Sequence, residues 1–328
     1  MTQMDRRSLW RVGLAAGAAA WLPGTAGAQA WPTRPIRLVV PFAAGTTTDL
    51  LGRILSRHLS QALGQSVVVD NRSGAGGNLG VATVAKSPPD GYTLVLGTSG
   101  THGVNASLYR DQGYDPVRDF APIMPFVTAP AVLAVGRRLG VTTLAELVAL
   151  AKQRPGALTF ASAGNGTTGH LSQALLDLRA GIQTVHVPYR SGAQAITDLL
   201  AGQVDAMFYH YLPLVQHFRE GSLLPLAVTA PRRAEALAEV PTMQEGGLPD
   251  FVVEGWWALY APAGTPPALI AQLNAAANAL LRDPEAIEGL RAQGVAPIGG
   301  TPERLQAMTR EEVAKWRPII AAAGIQTD

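Results

Sequence analysis

The sequence predicts an α/β protein of two hinge-connected lobes with a ligand cleft between them. Three observations carry that expectation. Short β-branched apolar runs alternate with stretches of helical apolar spacing, the pattern of parallel strands covered by helices on both faces. A chain of 328 residues is long for one core and suits two. Two segments, residues 122–130 and 250–261, interrupt the alternation and read as crossings between lobes. With both as hinges, lobe 1 comprises residues 31–128 and 251–328, and lobe 2 residues 129–250. A hinged pair of lobes places a ligand site in the cleft.

Taken in order, residues 1–30 read as an export signal. Arg6, Arg7 and Arg11 precede an apolar stretch at 12–22; Pro23-Gly24 ends it, and small residues at Ala26, Ala28 and Ala30 offer cleavage near Ala28 or Ala30. The stretch is too short to span a bilayer. The paired arginines resemble a twin-arginine signal, although Asp5 stands where Ser or Thr is usual, so both export routes stay open. No later segment reaches about 18 uninterrupted apolar residues, so the mature chain is expected to be soluble.

Residues 36–40 are a β-branched run ending at Pro41. Leu50, Leu51, Ile54, Leu55 and Leu59 then recur at helical spacing up to Gly64, a helix stop. Strands follow at 67–69 and, after the Pro89-Asp90-Gly91 turn, at 94–96. Further strands at 132–135, 158–161, 185–187, 206–208 and 224–228 alternate with helices at 144–152, 171–179, 193–200 and 214–218. Val252-Val253 and residues 257–260 read as strand, with Trp256 and Trp257 on opposite faces; both are expected in the core, with one of them lining the cleft as the alternative. The chain then becomes helical at 268–281, 284–291 and 302–322, with Pro266, Pro284 and Pro302 near helix starts, where proline is tolerated.

Composition removes several functions. With no Cys there is no disulfide frame, thiolate metal site or thiol nucleophile. The net charge of +2 equals the surplus of Arg6, Arg7 and Arg11 over Asp5 within residues 1–30, so the rest of the chain is neutral. That offers no field for nucleic acid, and an anionic ligand must be held by local dipoles. The 6 histidines form no compact ligand pair, so no metal is expected.

Three strand-to-helix loops remain as ligand sites, because ligands of open α/β sheets bind at the carboxyl ends of strands. The first is Pro41-Phe42-Ala43-Ala44-Gly45-Thr46-Thr47-Thr48-Asp49. Its free N–H groups, helix dipole and hydroxyls suit an anion. Thr47, Thr48 or Asp49 is expected to cap the helix, and Asp49 to tether the loop or meet a ligand amine. The second runs from Ser162 through Gly164, Asn165, Gly166 and Thr167 to His170, which either donates to a ligand or caps. Residues 164–169 satisfy G-x-G-x-x-G, but the following strand ends at Tyr189-Arg190 without the usual acid. Arg190 suits a 2′-phosphate, which leaves an exported NADP-binding oxidoreductase as an alternative. The third loop carries Thr98 and Ser99. With Thr101 in place of a required Gly it is one residue from a nucleophile elbow, so a secreted serine hydrolase is a further alternative. Residues 74–78 are a glycine turn that serves as a backbone nest or a tight connection.

Ordered blocks along the whole mature chain carry a family resemblance. They are Pro35-Ile36-Arg37-Leu38-Val39-Val40-Pro41-Phe42, Val69-Asp70-Asn71-Arg72-Ser73-Gly74-Ala75-Gly76-Gly77-Asn78, Pro89-Asp90-Gly91-Tyr92-Thr93-Leu94, Gly169-His170-Leu171, Val187-Pro188-Tyr189-Arg190 and Ala261-Pro262-Ala263-Gly264-Thr265-Pro266. The chain resembles the periplasmic solute receptors of the tripartite tricarboxylate transporter class, also called Bug proteins. The resemblance implies a type II periplasmic-binding-protein fold and a non-catalytic, cofactor-free, monomeric receptor. It would capture a small organic mono- or dicarboxylate for membrane transporter subunits or a sensor kinase. It also implies that the loops at 43–49 and 164–167 grip the carboxylate, partly through ordered waters. Here Ala43-Ala44-Gly45-Thr46 replaces the family's Pro-Pro-Gly-Gly, which predicts a looser first loop. Arg190 stands where the family usually has Lys, as a partner for a second carboxylate.

Overall fold

The computed structural model describes residues 31–234, 237–292 and 294–325; the export signal read at 1–30 lies outside the described residues. The elements follow as β1 (Ile36–Val40), α1 (Thr47–Leu63), β2 (Val67–Asn71), α2 (Asn78–Ala85), β3 (Thr93–Thr98), α3 (Asn105–Leu108), β4 (Phe120–Gly136), α4 (Leu144–Gln153) and β5 (Thr159–Ser162). Then come α5 (Thr168–Ala180), β6 (Val185–Pro188), α6 (Gly192–Leu200), β7 (Ala206–His210), α7 (Val215–Arg219) and β8 (Leu223–Val228). The chain finishes with β9 (Glu254–Pro262), α8 (Pro267–Leu280), α9 (Pro284–Ala292), β10 (Ala296–Pro297) and α10 (Pro302–Ala323).

Local signals produce the local elements. Leu51, Leu55 and Leu59 lie on one buried stripe of α1, and Gly64 ends the helix in the left-handed region at φ 65°. Each buried leucine contributes about 1.5–3 kcal/mol. Thr143 and Glu146 form a reciprocal capping box on α4.

The expectation of parallel sheets holds only in part. β1 pairs in parallel with β2 and β3, and β5 pairs in parallel with β6 and β7. β9, however, runs antiparallel to β3 and β4, and β4 runs antiparallel to β7 and β8. Residues 122–130, read as a crossing, lie inside the 17-residue strand β4. Prolines are tolerated there because the β4–β9 ladder shifts register between Pro122 and Met124 and again between Pro125 and Val127. Val252 and Val253 precede β9 and do not form a strand.

β4 joins two packed halves. Its first half pairs with β9, beside a core of Val39, Val95, Phe120 and Tyr260 under Val81 and Val84 of α2. Its second half pairs with β7 and β8. There Leu133, Val135, Phe160 and Phe208 pack on α5 residues Leu175 and Leu176, while Ala134 and Met207 on the opposite face meet Ile196 and Leu199 of α6. α10 serves both: Leu305 packs in the first core, Trp316 and Ile320 in the second. Residues 34–328 accordingly form one compact unit. Among the described residues, no helix is long and apolar enough to cross a membrane.

Candidate functional site

Between β1 and α1 the chain turns at Gly45, whose φ of 81° lies in the left-handed region. That turn makes Thr46 the extended residue before the helix, so Thr46 caps α1 in place of the expected Thr47, Thr48 or Asp49. Its hydroxyl accepts from the Asp49 N–H at 3.3 Å and donates to the Ala43 carbonyl at 2.8 Å. Asp49 tethers the loop. Its carboxylate accepts from the Gly45 N–H, the Arg53 Nε and the Asn71 amide, each at 3.0 Å. Asn71 also donates to the Phe42 carbonyl at 3.0 Å. Burial opposes the charge of Asp49, but the bonds from Arg53, Gly45 and Asn71 outweigh it and hold its pKa below the usual value. These bonds fasten the loop, so the missing proline pair is offset by side chains. Asp49 is buried and does not line the cavity, so its place is that of a tether rather than a partner for a ligand amine.

The loop between β5 and α5 is built on backbone. Gly164 and Gly166 take φ of 122° and 75°. A Cβ on Gly166 would overlap the Asn105 amide oxygen and stand 2.9 Å from Leu108 Cδ2. Thr167 donates to the Gly164 carbonyl at 2.7 Å and places no side-chain cap on α5, so the first-turn N–H groups of that helix remain open to a ligand. The Ser162 hydroxyl meets both the Gly164 N–H and its carbonyl at 3.1 Å, and His186 Nε2 at 2.6 Å. His170 Nδ1 accepts the Gly166 N–H at 3.2 Å, and its ring stacks on His186 at 3.9 Å. Burial pushes His170 down to about 4 and, with the neighbouring His170, pushes His186 down to about 3. Both rings are therefore neutral near pH 7, which the Nδ1 acceptor role of His170 requires.

After β3, Thr98 and Thr101 exchange hydrogen bonds: the Thr98 N–H donates to Thr101 Oγ1 at 3.0 Å, and the Thr101 N–H to Thr98 Oγ1 at 3.2 Å. The Ser99 N–H donates to the Trp256 carbonyl at 3.0 Å. His102, the nearest histidine in sequence, bonds Thr101 Oγ1 at 3.0 Å and stacks on Tyr260 at 4.0 Å; burial pushes it down to about 3. Among the described residues no hydrogen bond joins Ser99 to a histidine, so the nucleophile–base pair a serine hydrolase needs is not formed.

These strand ends enclose one cavity of ≈ 70 Å³. At roughly 10–15 Å³ per water this admits a small organic molecule and not a dinucleotide. The glycine loop does have the strand-to-helix setting that the dinucleotide motif demands, but the cavity it lines is much smaller than a dinucleotide. Phe42, Thr46, Thr47 and Thr48 line the cavity from the first loop, with Thr98 and Ser99 after β3 and Gly166 and Thr167 from the second loop. Arg190 and Ser191 line it after β6. The remaining wall includes Tyr209 and His210 at the end of β7 and Gly255 and Trp257 on β9. Trp257 Nε1 donates to Thr48 Oγ1 at 2.9 Å, and the Trp257 ring meets His210 edge-on at 4.8 Å. The buried Thr47 hydroxyl points at the Tyr209 phenol without a well-formed hydrogen bond. Burial pushes His210 down to about 4.

Several residues expected at the site do not line this cavity: Ala43, Ala44, Gly45 and Asp49 of the first loop, and Ser162, Gly164, Asn165 and His170 of the second. Tyr189 is turned away, its hydroxyl donating to Asp198 at 2.8 Å. Trp256 and Trp257 are both buried, as expected, yet Trp257 also faces the cavity. Gly76, from the glycine turn, reaches the wall as well. Tyr209 and His210 carry no motif in the sequence. The only available signal was their place at a strand end.

A profile of the family described as "Tripartite tricarboxylate transporter family receptor" matches residues 51–325. Protein BugT of Bordetella pertussis is 37% identical over 308 residues, covering 94% of this chain and 94% of its own length. The solved structure of R. palustris Rpa4515 with adipate is 39% identical, with a TM-score of 0.87 over 90% of this chain and 99% of that one. MatC (Rpa3494) from Rhodopseudomonas palustris with bound malate is 32% identical, with a TM-score of 0.83 over 88% of this chain and 99% of that one. The fold is thus the two-lobed α/β fold of periplasmic binding proteins.

Proposed function

The chain belongs to the tripartite tricarboxylate transporter receptor family, and from that premise we propose that its cavity captures a small organic mono- or dicarboxylate. One observation carries the reading: the N-termini of α1 and α5 converge on a single cavity whose wall contains no acidic side chain. Two helix ends supply positive potential and unsatisfied N–H groups, so an acid group is held without a dedicated cation. The Thr47 hydroxyl, buried and lacking a well-formed bond, is a further donor kept for the ligand. Relatives with adipate and malate in their printed descriptions support the ligand class.

The ligand-gripping residues of this reading are Phe42, Thr46, Thr47, Thr98, Ser99, Gly166, Thr167 and Arg190, backed by the tethers Asp49, Ser162 and His170. The lobes divide as residues 31–128 with 251–328, and 129–250, joined through β4 and the segment that leads into β9. Closure brings both loops onto the ligand, so contacts available only in the closed state drive it. The protein is a periplasmic receptor without catalysis, cleaved near Ala28 or Ala30, that delivers its acid to transporter subunits or a sensor.

The test is a thermal-shift screen of C4–C6 carboxylic acids against their primary amides, which keep the shape and lose the charge. Acids are expected to raise Tm at millimolar concentration and amides to leave it unchanged. An equal response to both, or to neither, would overturn the carboxylate reading.

A further inference from the structure

We propose that His170 is an acid-operated release for the second ligand loop: a proton taken up at its Nδ1 breaks the bond that places Gly166, and the loop lets go of a bound acid. The release rests on the carboxylate reading above for its ligand; the response of the loop itself to acid does not.

His170 Nδ1 accepts the Gly166 N–H at 3.2 Å, and only a ring with no proton on Nδ1 can do so. Protonation turns that acceptor into a donor and leaves two N–H groups facing each other. The ring has to turn, and turning takes it off His186, on which it stacks at 3.9 Å with the planes 11° apart. His186 Nε2 in turn lies 2.6 Å from Ser162 Oγ, which accepts the Gly164 N–H at 3.1 Å. One proton therefore disturbs the supports of both glycines that shape the loop. Once released, those glycines have many other conformations open to them.

Neither imidazole lines the ligand cavity. Both line a second cavity of ≈ 380 Å³, together with Gln173, Asp177 and Thr184. A proton enters from that side, and the turned ring meets water there. Among the described residues Asp177 is the one carboxylate lining this cavity, and it accepts from the Thr184 N–H at 3.1 Å and hydroxyl at 2.9 Å. Burial pushes Asp177 up, so acid weakens its charge just where a histidine cation would need it. The other elements packed on this turn of α5 meet it with uncharged groups. Asn105 and Leu108 of α3 stand against Gly166, β7 brings the Phe208 carbonyl to Gly169, and α10 leads to Ile325. Arg190 and His210 line the ligand cavity, and Arg317 of α10 a separate one.

While the loop is ordered, burial pushes His170 down to about 4 and, with the neighbouring His170, pushes His186 down to about 3. In a loosened loop both return toward about 6.5. Above that pH the ordered loop keeps its full advantage. As the pH falls toward 4, the loosened form gains about tenfold per unit for each histidine that protonates. Apparent affinity falls with the fraction of ordered loop.

The experiment follows amide exchange by NMR in the isotope-labelled mature chain between about pH 7 and about pH 5, corrected for the intrinsic rate. Protection of Gly166 is expected to fall at least about tenfold, while that of Gly45, whose N–H is held by the Asp49 carboxylate at 3.0 Å, changes less than about threefold. In His170→Asn the amide oxygen takes the place of Nδ1 and does not titrate, so Gly166 protection should stay level. Calorimetry with adipate reads the release: over the same range wild-type affinity should fall at least about tenfold further than that of His170→Asn, the titration of adipate being common to both. Level Gly166 protection in wild type, parallel loss at Gly45 and Gly166, or an equally steep fall in His170→Asn overturns the release. If wild type binds neither adipate nor malate, the carboxylate reading fails and the release of an acid with it, whereas Gly166 exchange still shows whether His170 frees the loop.

Discussion

The two loops that face the cavity serve one purpose with opposite materials. The loop before α1 presents side-chain hydroxyls, Thr46, Thr47 and Thr48, and is held from behind by a charged network of Asp49, Arg53 and Asn71. The loop before α5 presents backbone shaped by Gly164 and Gly166, and is held by neutral groups, His170, His186 and Ser162. Both place a helix N-terminus at the ligand. On the proposed reading the anion site is the pair of helix ends, and the contrast teaches that the scaffold behind each end can be ionic or neutral. The two scaffolds should therefore fail under different perturbations.

The largest effect is expected at the backbone-built loop. Gly166→Val introduces a branched side chain at φ 75° and drives it into Asn105. It should abolish acid binding in calorimetry and cost about 3 kcal/mol in denaturant unfolding. Binding within twofold of wild type would remove the second loop from the site.

The ionic scaffold comes next. Asp49→Ala leaves the Gly45 N–H and the Asn71 amide without their acceptor and should cost about 2 kcal/mol, with weaker acid binding through the loosened loop. Because its folded pKa lies below the ordinary value, the stability Asp49 supplies is complete above about pH 4 and is lost only as the pH falls through the folded value.

The neutral scaffold answers to acid sooner. His170 is neutral when folded, with a pKa near 4, while the unfolded chain takes up a proton below about pH 6.5. Its contribution is therefore full above pH 6.5 and declines by roughly 1.4 kcal/mol per unit as the pH falls toward 4. His170→Phe keeps the bulk but removes the acceptor for the Gly166 N–H. It should cost about 1–2 kcal/mol at pH 7 and flatten the fall of Tm between pH 6.5 and 4 by one proton's share. His102, His186 and His210 keep the rest of the slope, since burial lowers each of them too. An unchanged slope in His170→Phe would contradict the neutral-scaffold account.

The smallest stability effect is expected at Thr47. Thr47→Val should leave unfolding within about 1 kcal/mol of wild type, because the hydroxyl has no well-formed partner to lose. Acid affinity should nonetheless fall about fivefold to tenfold. A loss of stability without a loss of affinity would make this hydroxyl structural.

Both helix ends were legible because their signals are local. A β-branched run, a glycine and a row of threonines fix the start of α1, although three adjacent capping-type residues left the cap ambiguous by one position. The glycines of the second loop marked it in the same way. Strand direction is not local, so the antiparallel course of β4 and β9 was missed; only the ladders to β7 and β3 determine it. The far wall was least legible, because Tyr209 and His210 reach the cavity through pairing across long sequence separations, while Trp257 was legible only as one of two tryptophans that could line the cleft. The side chains of His170, Ser162 and Tyr189 have hydrogen-bond partners within the protein, which their residue types could not reveal.

The central claim is that one carboxylate is held jointly by the ends of α1 and α5, and a crystal structure of the chain with its tightest C4–C6 acid tests it most directly. The account predicts an acid group within about 3.2 Å of a main-chain N–H or hydroxyl from residues 46–48 and, at the same time, of a main-chain N–H from residues 166–169, directly or through one water. A carboxylate bound in this cavity that touches neither helix end, or an acid bound outside the cavity altogether, would contradict it.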